Sequence, residues 1–116
     1  ITDLIPAERI QAISDRTRQG GAEIVNLLKT GSAYYAPAAS TVKMAASILK
    51  DSHHVLPCSA YLTGQYGLED VYVGVPCSLG RKGIEKIISL DLSEEELKAL
   101  QSSAAVYKSS LKDLGY

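Results

Sequence analysis

The sequence predicts an α+β fold in the order helix–helix–strand–strand–strand–helix, with long helices packed on an antiparallel three-stranded meander. Two observations carry that expectation. Apolar residues recur at helical spacing as far as Lys50 and again beyond Ser93, and between them the chain reads as extended stretches punctuated by glycine and proline. Size agrees, since 116 residues make one domain against a prior of about 150 residues per domain. A composition of 46% hydrophobic and 22% charged residues is that of an ordinary globular chain and excludes disorder.

The first helix is expected from Pro6 to about Thr30, with Pro6 near its first turn and with Ile10, Ile13, Ile24, Val25 and Leu28 on its apolar side. Gly20-Gly21 either breaks it or admits a neighbouring backbone, and Gly31 is the expected stop. A second helix spans about Ser32 to Lys50. Its regular part begins near Tyr34–Ala36 because Pro37 is tolerated only in a first turn. Val42, Ala45, Ala46 and Leu49 form the apolar stripe expected for it.

His54–Leu62 and Val71–Leu79 read as strands joined by a Thr63–Asp70 loop, an arrangement that brings Cys58 near Cys77. Pro57 and Pro76 cannot donate to a ladder and must each face a bulge, an edge or a strand end. Gly80-Arg81-Lys82-Gly83 makes a tight turn into a third strand, Ile84–Leu90. The last helix opens on Ser93-Glu94-Glu95-Glu96, a capping box whose three acids suit the positive helix end. Leu97, Leu100, Ala104, Tyr107, Leu111 and Leu114 continue as one core-facing stripe.

Charge excludes two classes of partner. Twelve Lys+Arg against 13 Asp+Glu leave a net −1, which gives no electrostatic footprint for nucleic acid or an anionic membrane. No apolar run reaches the length of a membrane span. The chain opens at Ile1 without Met or a secretory pattern, so removal of an upstream segment and a cytoplasmic protein are expected. Two cysteines are too few for a disulfide framework and read as reduced buried thiols, with a cross-strand pair as the alternative. Seven tyrosines with no Phe or Trp place polar hydroxyls where interfaces or pocket rims would use them.

Chemical motifs are sparse. The sequence has no GxGxxG, P-loop, GxSxG, HExxH or EF-hand pattern. His53-His54 follows a helix end and reads as an exposed capping pair, because neighbours in extended chain point to opposite faces and serve one metal poorly. No metal site is expected. Arg16 and Arg18 are read as a solvated face or inter-subunit ion pairs, with an anion site beside the glycines as the alternative. Gly31-Ser32-Ala33-Tyr34-Tyr35 places small residues at a helix N-terminus, where free N–H groups face whatever binds there.

Five strings together resemble malate dehydrogenases of the lactate-dehydrogenase-like bacterial type. They are Arg16–Val25 (RTRQGGAEIV), Leu28–Ala39 (LKTGSAYYAPAA), Val55–Cys58, Tyr61–Gly67 and Tyr72–Pro76. The resemblance runs in order along the chain and implies that residues 1–116 are that family's C-terminal, substrate-side domain, its N-terminal Rossmann domain being absent from this chain. It implies reversible oxidation of (S)-malate to oxaloacetate with NAD, as in the tricarboxylic acid cycle, in a cytoplasmic homodimer or homotetramer. The NAD would be bound mainly by the missing domain.

No catalytic residue carries over, because the family's proton-transfer pair and arginine clamps match no position here; the chain alone is expected to be inactive. What carries over is pocket wall. Ala33, with Ser32 beside it, matches the position facing the substrate side chain, and Pro37 matches a residue near the nicotinamide ring. A small Ala33 leaves room for a second carboxylate where lactate dehydrogenases place Thr. The resemblance also implies that Gly20-Gly21 serves close packing in one unbroken helix bordering a subunit contact. Gly80–Gly83 departs from the family's small residues as a surface change without functional weight, and Cys77 replaces an aliphatic residue. A lactate or other 2-hydroxyacid dehydrogenase domain and a non-catalytic oligomerisation domain are the alternatives.

Overall fold

The computed structural model describes residues 3–115; Ile1, Thr2 and Tyr116, and with them the reading of the chain start, lie outside the described residues. Three helices, α1 (Ala7–Leu28), α2 (Tyr35–Leu49) and α3 (Glu94–Asp113), accompany three strands, β1 (His54–Thr63), β2 (Glu69–Gly80) and β3 (Gly83–Ile87). The strands form one antiparallel sheet in the order β1-β2-β3. The α+β meander expected from the periodicity is therefore the observed fold. The chain divides into two units, one up to Val42 and one from Lys43, so α2 begins in the first and ends in the second.

In the first unit α1 runs unbroken through Gly20 and Gly21, and a Cβ built at either glycine meets nothing within 4 Å. The helix is thus continuous, as the resemblance implies, although among the described residues nothing packs on the glycines. Pro6 stands at the N-cap, just outside the first turn. Lys29, not Gly31, takes the left-handed cap with φ 67°, and its N–H still bonds to Val25 O; Gly31 follows at φ 84°. None of α1's residues is buried, and Leu27 is 75% exposed.

The core lies in the second unit. Leu56, Cys58, Ala60 and Leu62 alternate inward on β1, and Val71, Val73, Val75, Cys77 and Leu79 do so on β2. Ala104 and Leu100 of α3 pack on this face, with Met44 and Ile48 of α2. Two expected stripes need correction. On α2, Val42 and Leu49 are 67% and 80% exposed, and the inward residues are Met44, Ser47 and Ile48. Ser47 is the buried one because its hydroxyl donates to Leu79 O at 2.8 Å and accepts the His54 N–H at 3.3 Å. On α3 the stripe is buried only at its first half, since Tyr107, Leu111 and Leu114 are all exposed.

The prolines explain the sheet's limits. Pro57 and Pro76 sit opposite each other in the β1–β2 register. Pro76 turns its carbonyl to β3, accepting the Ile88 N–H at 2.8 Å, but has no N–H to return. Strand β3 therefore stops at Ile87 rather than Leu90. Tyr66 takes over the missing donor: its hydroxyl donates to Ile88 O at 3.2 Å and accepts the Leu90 N–H at 3.0 Å. Tyr66 reaches that position from a left-handed backbone at φ 58° inside the short 3-10 turn Gln65–Gly67, which Gln101 of α3 pins by donating to Tyr66 O. Cys58 and Cys77 are both buried and free, diagonal neighbours in register. Burial, with Cys58 nearby, pushes the Cys77 thiol up, so Cys77 behaves as an inert apolar residue.

Candidate functional site

The segment linking α1 to α2 carries the residues singled out for a substrate pocket. After Gly31, Ser32–Tyr34 is irregular, and Tyr34 N–H closes back on Ser32 O at 2.9 Å. Gly31 suits this bend because its φ of 84° lies in the left-handed region, and the Tyr34 ring makes an ordinary contact 3.6 Å from its Cβ position. The Tyr34 and Tyr35 rings meet at a tilt of 45° with centroids 4.7 Å apart. Ser32 is exposed and Ala33 half-buried.

Pro37 is the third residue of α2, inside the first turn where its missing N–H costs nothing. Its ring is exposed, and its carbonyl accepts the Thr41 hydroxyl at 2.9 Å. Ser32, Ala33 and Pro37 therefore lie along one short stretch that offers small side chains, a flat ring and unpaired backbone N–H groups at a helix start. This stretch can shape a wall and orient a bound group. It carries no His, Asp, Glu, Lys or Arg, so it holds no group to take or return a proton near neutral pH.

Arg16 and Arg18 of α1 are committed to carboxylates. Arg16 forms a fork on Glu23, Nη2 to Oε1 at 2.9 Å and Nε to Oε2 at 3.2 Å. The pair spans two turns, past Gly20 on the same helix face. The hydrogen-bonded fork holds Glu23 below the usual carboxylate range and raises Arg16. Arg18 pairs with Asp15 at 3.1 Å. The solvated face expected for these arginines carries ion pairs within one helix, Arg16 with Glu23 and Arg18 with Asp15, rather than a guanidinium pair set aside for an anion.

A second constellation was not legible in the sequence. His53 stands between two carboxylates, with Nε2 3.4 Å from Asp51 Oδ1 and Nδ1 3.3 Å from Glu85 Oε2. His54 does not join it; His54 begins β1 and its backbone N–H goes to Ser47. The pairing depends on β3 registering against β2, which no local pattern around His53 announces. On the outer sheet face, the Tyr61 and Tyr72 rings meet across the strands at a tilt of 53° with centroids 5.3 Å apart, and Tyr61 donates to Asp70 at 2.7 Å. That hydrogen bond raises the Tyr61 phenol above its ordinary value. Among the described residues no helix is long and apolar enough to cross a membrane.

Comparison with known proteins agrees with the fold. The family profile described as lactate/malate dehydrogenase, alpha/beta C-terminal domain, matches residues 2–115. A malate dehydrogenase of Roseiflexus sp. (strain RS-1) is 56% identical over 114 residues, covering 98% of this chain and 37% of that protein. One from Chlorobium limicola is also 56% identical with the same coverage. Among solved structures, malate dehydrogenase from Salinibacter ruber superposes with a TM-score of 0.89 at 46% identity, over 98% of this chain and 37% of that one. Lactate dehydrogenase from Eimeria maxima, solved with NADH and oxamate, does so at 0.88 and 47%, over 98% and 36%. The chain thus spans little more than a third of the length of the relatives it matches.

Proposed function

The chain belongs to the lactate/malate dehydrogenase family, as its α/β C-terminal domain, and from that premise we propose that it serves a malate dehydrogenase as the substrate-side wall. The reaction of the whole enzyme is the reversible oxidation of (S)-malate to oxaloacetate with NAD. Ser32 and Ala33 line the space for the substrate side chain, and Pro37 sets its ring against the nicotinamide. The observation that carries this reading is the chemistry of the 31–37 stretch, small and shape-giving with no proton-transfer group, in a chain whose relatives named malate dehydrogenase are about three times longer.

The residues present fit that division of labour. An exposed proline ring in a first turn suits contact with a flat ring, whereas the stretch has no Asp or Glu to take a ribose diol. NAD supplies the hydride acceptor when bound, and a separate dinucleotide domain is its holder in this proposal. A side chain no larger than Ala at position 33 leaves volume for the second carboxylate of oxaloacetate. We further assign the full protein to the cytoplasm, to the tricarboxylic acid cycle and to a homodimer or homotetramer. The exposed Leu27 and Val42 in the first unit support contacts with other protein surface.

Lactate is the second reading, because lactate dehydrogenases share the fold at similar identity. The test is the full-length enzyme assayed with oxaloacetate and with pyruvate, in the parent and in Ala33→Thr. Preference for oxaloacetate, reduced by the larger side chain, is the expected result; preference for pyruvate by the parent sinks the assignment of Ala33. The chain of 116 residues is expected not to reduce NAD with malate, and turnover by a pure sample refutes the placement of the chemistry elsewhere.

A further inference from the structure

The connection from α2 to β1 and the turn from β2 to β3 bring Asp51, His53 and Glu85 together, each able to offer one ligand atom within 4.8 Å of the others. We propose that these three residues bind a divalent transition ion of the zinc class. The donor set is mixed, one imidazole and two carboxylates, which favours zinc-like ions over the all-oxygen preference of Mg²⁺ and Ca²⁺. Spacing supports it. Two ligand atoms 3.3 Å apart, as His53 Nδ1 and Glu85 Oε2 are, subtend about 104° at an ion about 2.1 Å from each, close to tetrahedral. Asp51 rests against the opposite ring nitrogen, Nε2, at 3.4 Å, so it joins as third ligand by swinging its side chain toward the Nδ1 side, and water completes the shell.

The supporting shell is built on Glu85, whereas Asp51 Oδ1 both accepts the Arg81 N–H at 2.7 Å and faces His53 Nε2, so Asp51 is the ligand that must reorient. Glu85 Oε1 accepts the Lys82 N–H at 3.3 Å, while Oε2 faces the imidazole. Such anchoring of the far oxygen orients a carboxylate ligand. Gly80 makes the meeting possible, because a Cβ there would stand 2.6 Å from Glu85 Cδ and 2.7 Å from His53 Cε1. The Gly80–Gly83 turn, without a role by sequence, thereby holds two of the three ligands together. Lys50, Arg81, Lys82 and Lys86 flank the cluster in sequence, but none forms an ion pair with its carboxylates among the described residues.

Titration calorimetry of the whole chain with zinc chloride tests the proposal. One ion per chain is expected, with affinity at least about tenfold weaker in His53→Gln, Glu85→Gln and Asp51→Asn, and unchanged in His54→Gln. Gly80→Ala removes no ligand but separates two, so it too should weaken binding. Equal amounts of Mg²⁺ or Ca²⁺ should not compete. Co²⁺ used in place of zinc should show no thiolate charge-transfer band, which separates this site from Cys58 and Cys77. Because the three side chains are solvent-accessible, circular dichroism of the variants should match the parent. Absence of saturable one-to-one binding, an unaltered affinity in His53→Gln, or a thiolate band overturns the proposal.

Discussion

Ser47→Ala tests the polar tie between α2 and the sheet. The Ser47 side chain is 1% exposed and joins α2 to both ends of the β1–β2 ladder's first rung, donating to Leu79 O and accepting from His54 N–H. Losing the buried hydrogen bond costs about 1 kcal/mol, and leaving a partly buried N–H and a carbonyl short of partners adds about 1 more. Alanine's better helix propensity offsets about 0.5 kcal/mol, so the net loss is about 1.5 kcal/mol. At 4–8 °C per kcal/mol for a small domain, the melting midpoint should fall by roughly 6–12 °C. Urea unfolding followed by far-ultraviolet circular dichroism measures the loss, and amide hydrogen exchange at His54 localises it. Ser40→Ala, on an exposed position of the same helix, is the control and should stay within about 0.5 kcal/mol. A Ser47→Ala midpoint equal to that of Ser40→Ala, with unaltered exchange at His54, refutes the reasoning.

Three other outcomes follow from the same physics. Tyr66→Phe removes the hydroxyl that replaces Pro76's missing donor, so about 1–2 kcal/mol should be lost and the Leu90 amide should exchange faster; unchanged exchange would mean that water serves equally well. Gly20→Ala should raise the helicity of α1, by about 1 kcal/mol of propensity, because a Cβ there meets nothing within 4 Å; a fall in helical signal would contradict that. The Ser93 backbone N–H, then its side chain, holds Glu96 below its ordinary pKa. Its contribution to α3 is therefore present above the unfolded carboxylate pKa and is lost as pH falls through the lower folded one. Circular dichroism of α3 should show that acid loss in the parent and a flatter profile in Glu96→Gln.

Local patterns carried most of the fold. The alternation of β1 and β2, the glycine-bounded turn and the Ser93–Glu96 capping box are each written within a few residues, because their hydrogen bonds and side-chain directions repeat at short range. The family strings also single out Ser32, Ala33 and Pro37, whose pocket role rests on the proposal above. What failed was legible only at long range. On α2, an apolar stripe was read through Val42 and Leu49, yet the buried face centres on a serine whose partners lie 32 and 7 residues away. The stripe on α3 is continuous in sequence, but the sheet reaches only its first half.

The end of β3 and the His53 cluster have the same cause. Whether Pro76 ends a neighbour's ladder depends on which residue the register sets against it, and here the missing donor is supplied by Tyr66, from a turn ten residues earlier. His53 meets Glu85 only because β3 folds back across Gly80. The sequence by itself determined the class of fold, its elements and its family, since these rest on periodicity, capping and strings of adjacent residues. Tertiary structure alone decided which polar groups are buried and which ionisable groups meet, because register and packing bring together residues that have no local means of signalling one another.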